Sequence, residues 1–61
     1  MTVIELLNAF ENWTLFTSVE VNDINGIHKY TYHKDAIRDF GNSSVITFSY
    51  NSADDIISIY L

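Results

Sequence analysis

Two histidines and a pair of adjacent aspartates are the residues of this chain whose types could do chemistry: His28 and His33, Asp54 and Asp55. Two imidazoles with carboxylates are a metal set, and two carboxylates are a general acid-base pair. The spacing denies both. His28 and His33 stand five residues apart in a segment that reads as a strand, where the period of two sends them to opposite faces. An extended Asp54-Asp55 likewise points its carboxylates apart, the ordinary habit of a solvated turn pair. There is no cysteine, so no disulfide forms, and two histidines cannot fill four tetrahedral positions around a structural zinc without recruiting carboxylates. No nucleophile elbow, phosphate-binding loop or metal-ligand spacing occurs. A chain of 61 residues also has little room for a substrate pocket of ~300 Å³ or more. The sequence therefore reads as non-enzymatic, with no cofactor.

Charge says more. Eight acids against three bases give a net charge of −5, and all three bases, Lys29, Lys34 and Arg38, fall between positions 29 and 38. Residues 1–28 carry Glu5, Glu11, Glu20 and Asp23 unopposed, and residues 39–61 carry Asp39, Asp54 and Asp55. Binding to nucleic acid needs lysine and arginine against phosphates, so neither end suits it. A basic protein surface is the favoured partner, although acidity also serves simply to keep a small protein soluble. No segment approaches the ~20 apolar residues of a membrane span, and no basic n-region with an apolar run marks a signal peptide. A cytoplasmic location is expected, and the Asn12-Trp13-Thr14 and Asn42-Ser43-Ser44 sequons then carry no meaning.

Several elements must position these residues. Thr2-Val3-Ile4-Glu5 has the capping-box form, with Val3, Leu6, Leu7 and Phe10 at helical spacing, which predicts a short amphipathic helix over 3–11. Leu15 to Val21 alternates, with Leu15, Thr17, Val19 and Val21 on one face, and predicts a half-buried strand. The run 22–26 ends in Asn25-Gly26, which tolerate positive φ, and supplies a hairpin turn. Ile27 to His33 returns, with His28, Tyr30 and Tyr32 opposite Ile27, Lys29, Thr31 and His33. Between 35 and 50 two readings compete over Val45 to Tyr50, helix against strand. Asp35 can cap a short helix over 36–40 closed by Gly41, and Val45 to Tyr50 has strand propensity; a helix within 35–49 is favoured. Asp55 to Leu61 closes the chain as a strand with Ile57, Ile59 and Leu61 on one face. All 61 residues read as one domain.

Nine aromatics in 61 residues exceed what so small a core can hide. Trp13 and Phe16 suit the core, while Tyr30, Phe40, Phe48 and Tyr50 suit an interface, where Tyr and Phe are enriched. A scaffold this small, lacking disulfide and metal, gains stability by pairing with a second copy, and a homodimer is expected.

Asn25-Gly26, Tyr32-His33-Lys34 and the closing run Tyr50-Asn51-Ser52-Ala53-Asp54-Asp55-Ile56-Ile57 resemble the small uracil-DNA glycosylase inhibitors of Bacillus phages with protein-primed linear genomes. The likeness covers about Leu15 to Leu61, with a gap of several residues between Lys34 and Tyr50. It implies an α+β homodimer, each subunit a three-stranded antiparallel sheet with one helix, to which the short N-terminal helix would be an addition. It also places a helix just before Tyr50-Asn51, capped by Ser43 or Ser44, with Ile46 and Tyr50 on one face. The function implied is that of an early phage protein, in the cytoplasm of the infected bacterium, that blocks base excision by the host uracil-DNA glycosylase. Such an inhibitor acts as a DNA mimic, with carboxylates where phosphates would lie and an apolar socket for the enzyme's intercalating side chain. Carried over, Tyr50 matches a socket tyrosine, and either Ile46 or Phe40 takes a family phenylalanine position, according to where the gap falls. Phe48 joins this aromatic set, and Asp39, Asp54 and Asp55 are the candidate charge contacts. Two family glutamates are missing, replaced by Thr31 and by Thr47 or Gly41. A small acidic interaction module with another basic, DNA-binding target is the alternative.

Overall fold

The computed structural model describes residues 1–9 and 18–61. In chain order the elements are α1 (Val3–Asn8), β1 (Ser18–Asp23), β2 (Gly26–Tyr30), α2 (His33–Phe40), β3 (Thr47–Asn51) and β4 (Ile56–Tyr60). The strands form one sheet in the order β2-β1-β4-β3. β1 pairs antiparallel with β2 and parallel with β4, and β3 pairs antiparallel with β4. The expected three-stranded antiparallel sheet is therefore corrected to a four-stranded mixed one. The reason lies in the segment 45–50: the strand propensity of its Val, Ile, Thr, Phe and Tyr prevails, and β3 forms where a helix capped by Ser43 or Ser44 was expected. β4 then inserts between β1 and β3.

The core lies between one face of this sheet and the helices. Val19 and Val21 from β1 and Ile57 and Ile59 from β4 are buried against Val3, Leu6 and Leu7 of α1 and Ala36 of α2. The alternation read in β1 and β4 thus points inward as expected. α1 is no appendage. Its Thr2–Glu5 capping box is formed, with the Glu5 side chain accepting from the Thr2 backbone N–H at 2.8 Å. Its first backbone donors are tied into the chain after α2: Val3 N–H donates to Ser43 O and Ile4 N–H to Gly41 O, both at 3.0 Å. Those groups would otherwise be orphaned at a helix start. Phe10, Glu11, Leu15, Phe16 and Thr17, the rest of the helix and strand spans read from the sequence, lie outside the described residues, as does Trp13, expected in the core.

α2 begins at His33, two residues before the expected Asp35 cap, so Tyr32-His33-Lys34 starts a helix where a strand end was expected. Asp35 sits in the first turn, where the helix dipole favours a carboxylate. Gly41 closes α2 with right-handed dihedrals (φ −52, ψ −38), so left-handed freedom is not its purpose. A Cβ there would collide with the Ile37 carbonyl oxygen, and that carbonyl already accepts the Gly41 N–H at 2.8 Å. Gly41→Ala must push backbone apart at the joint between α2 and α1. It is expected to cost about 1–3 kcal/mol, the range for overpacking, read as a lower urea midpoint; an unchanged midpoint would contradict the close approach.

Candidate binding surface

The residues singled out from the sequence separate into two groups on opposite edges of the sheet. Phe40 and Asp39 belong to α2, over edge strand β2. Phe48 and Tyr50 lie on the other edge strand, β3, with Ile46 just before it and Asp54 and Asp55 in the turn that follows. The two edges are three strand spacings apart, about 14 Å. Phe40 and Tyr50 of one chain therefore belong to different edges of the sheet.

The β2 edge carries a connected side-chain network that the sequence did not disclose. Pairing in β1–β2 runs Val21↔His28 and Asp23↔Gly26, so Asp23 and His28 are diagonal neighbours on the helix-facing side. His28 Nε2 lies 3.0 Å from Asp23 Oδ1. The His28 ring is tilted against Phe40, centroids 5.0 Å apart, and Tyr30 meets Phe40 edge-on at 6.3 Å. The Tyr30 hydroxyl donates to Asp39 at 2.9 Å, and Arg38 donates to Asp39 at 2.9 Å and to Asp35 at 3.3 Å. Counting back from a two-residue turn at Ile24-Asn25 would have revealed the Asp23–His28 pair. The expected turn over 22–26 instead narrows to these two residues, with Gly26 alone at positive φ, +123. Asn25 keeps an ordinary φ and donates its N–H to Asp23 Oδ1 at 2.9 Å.

At the other edge, the Tyr50 hydroxyl donates to Asp55 at 2.8 Å, and Asn51 donates to Asp54 at 3.2 Å. Asp55 has φ +54, the one non-glycine residue with positive φ among those described. An L side chain pays roughly 1–2 kcal/mol there, and aspartate and asparagine tolerate it best. Asp55→Asn is expected to keep the turn and the wild-type melting temperature, whereas Asp55→Val should lower stability by at least that amount. Equal melting of the two variants would refute the turn geometry.

These contacts set the pH response. Hydrogen bonds from Thr2 hold Glu5 below its usual carboxylate value, and those from Arg38 and Tyr30 do the same for Asp39. Partial desolvation pushes Asp23 up, but donation from His28 and Asn25 outweighs it and leaves Asp23 lowered. Burial lowers His33. Burial and Asp39 raise Tyr30, and the Asp55 hydrogen bond raises Tyr50. For the lowered groups the unfolded chain binds protons first, so the stability they confer is present above their ordinary values. It is lost as pH falls, first through the His33 value and then through those of the carboxylates. The tyrosines act oppositely: their contribution is whole below the ordinary phenol value and disappears as pH rises through their raised ones. Urea midpoints across pH should therefore fall at both extremes, and a midpoint that climbs into acid would refute the assignment.

Among the described residues no three His, Cys, Asp or Glu are placed to hold a metal ion, and none of these residues line a pocket. No described helix is long and apolar enough to cross a membrane. Comparison with protein-family models, with characterised proteins and with solved structures finds no match.

Proposed function

We propose that this chain is an acidic binding protein that occupies the basic groove of a DNA-binding protein, with uracil-DNA glycosylase as its target. One observation supports this reading above the others: Arg38 is neutralised within the fold, and the two lysines stand beside an acid or an aromatic ring. Lys29 stands directly across from Glu20 in the β1–β2 register. Arg38 is held by Asp35 and Asp39, and Lys34 lies 5.9 Å from the centre of the Tyr32 ring. A chain of net charge −5 then presents carboxylates outward, with Asp54 and Asp55 exposed on the β3–β4 turn. Such a field attracts a phosphate-binding groove and accelerates encounter with it. The glycosylase is named by the resemblance of Tyr50 to Ile57 and of Tyr32-His33-Lys34, and the bacterial cytoplasm follows from that target.

The test is a titration into a uracil-excision assay with a bacterial glycosylase and a uracil-containing duplex. Stoichiometric inhibition that excess pre-bound DNA prevents is the expected result, and two chains per enzyme would signal an inhibiting homodimer. Absence of inhibition by folded protein at micromolar concentration would remove the glycosylase. A parallel pair of strands at the sheet centre is not the arrangement the resemblance implies, and this favours a second reading, an acidic module with another basic DNA-binding target. Equal inhibition of an unrelated DNA-binding protein would select it.

A further inference from the structure

Several strongly exposed apolar side chains lie along one end of the sheet and the acidic turn lies at the other, while Tyr32, also strongly exposed, sits past the far end of β2. Ile24, at the tip of the β1–β2 hairpin, is 99% exposed, and Ile46 and Ile27 are 79% and 60% exposed. The registers place them together. Ile27 is opposite Asn22, Asn22 is opposite Tyr60, and Tyr60 is opposite Thr47, the residue after Ile46. The Ile46 N–H donates to Tyr60 O at 2.8 Å, which fixes the fourth member beside the third. Tyr60 is itself exposed. Asp54 and Asp55 lie beyond the opposite strand ends, where Ser18 N–H donates to Asp55 O, about 17 Å away along a five-residue strand.

We infer that this apolar end, formed by Ile24, Ile27, Ile46 and Tyr60, is the anchor by which the protein seats on its cationic protein partner. The inference rests on the proposed binding function, sets Phe40 aside, and adds a contact beyond Phe48 and Tyr50. Charge selects the occupant. Among the described residues, the side-chain charges beside the patch are Asp23, which adjoins Ile24, and the Glu20–Lys29 pair in the next row, so its surround is weakly anionic. A second copy, itself at −5, is repelled. Anionic lipid and nucleic acid are repelled likewise. A basic protein surface with an apolar recess meets both features. The acids act over a Debye length of about 8–10 Å and need not touch, so they steer while the apolar end holds.

The experiment compares the wild type with Ile24→Ser/Ile46→Ser, using a bacterial uracil-DNA glycosylase as the probe in a kinetic binding assay and sedimentation for self-association. Both substitutions are at exposed positions, so melting temperature is expected to stay unchanged. The expected result is binding at least tenfold weaker, chiefly through faster dissociation, with both proteins sedimenting alike. A single Ile24→Ser variant provides the same readout should the double variant misfold. Equal binding by wild type and variant would overturn the anchor and leave the binding function standing. A wild-type dimer that the substitutions break would overturn it in favour of a second copy. A monomeric wild type that does not bind the glycosylase would overturn both.

Discussion

Leu7→Ala is expected to remove a large share of this chain's stability. Leu7 is 1% exposed and packs with Val3, Leu6, Val19, Val21, Ile57 and Ile59 in the single described core cluster. Truncating a buried leucine costs about 2–5 kcal/mol through lost transfer energy and the cavity left behind. For 61 residues the whole stability is expected at about 3–9 kcal/mol, so one substitution removes much or all of it. The alternative deserves a direct comparison: if α1 were an addition to a self-sufficient sheet, Leu7→Ala would resemble a surface change of about 0.5 kcal/mol or less. Thermal melts followed by circular dichroism separate the two. Variant and wild type melting within a few degrees of each other would make α1 dispensable.

The importance of α1 was only half legible. Its cap and apolar spacing, Thr2, Glu5, Val3, Leu6 and Leu7, announce a helix and its buried face. What they do not announce is the surface to be covered. That surface is built by Val19, Val21, Ile57 and Ile59 from strands far along the chain, and by the docking of Val3 and Ile4 onto Ser43 and Gly41. Local patterns likewise marked both elements between 35 and 50. Over 45–50 the resemblance implies a helix against strand propensity, and the strand forms: α2 ends at Phe40 and β3 starts at Thr47. The parallel pairing of β1 with β4 has no local signature, because alternating strands with one buried face suit either direction. Only the crossover through β2, α2 and β3 decides it.

The candidate binding residues are legible as types and not as a group. An excess of acids and aromatics follows from composition, and Asp54-Asp55 in a turn before the last strand is where the structure places it. Position on the sheet is a matter of strand order, and strand order divides the set. Phe40 was an equal rival to Ile46 for one socket position, yet Phe40 packs on His28 and Tyr30 at the β2 edge, while Ile46 lies at the β3 edge. Ile24 was passed over because a turn residue gives no periodic signal, and its near-complete exposure is visible only once the hairpin is built.

That division yields the second large effect. Phe40→Ala is expected to act mainly on the fold, and Tyr50→Ala mainly on binding. Phe40 is half-buried, holds the rings of His28 and Tyr30, and caps the space between α2 and β2. Full burial of a phenylalanine is worth about 3–5 kcal/mol on truncation, so a half-buried one should cost roughly half as much, a sizeable part of the total. Folded Phe40→Ala should then bind the glycosylase as the wild type does, once corrected for the folded fraction. Tyr50 is exposed on β3, with its hydroxyl on Asp55, so its loss frees the acidic turn with a smaller effect on the melt. If the β3 edge contacts the partner, dissociation from Tyr50→Ala should be on the order of tenfold faster or more, as for an interface hot spot. The pairing of readouts is what makes the result decisive. A Phe40→Ala protein that melts like the wild type but dissociates faster would put the contact on the β2 edge. Tyr50→Ala that dissociates at the wild-type rate would take the β3 edge out of the interface and leave the apolar end around Ile24 as the remaining contact.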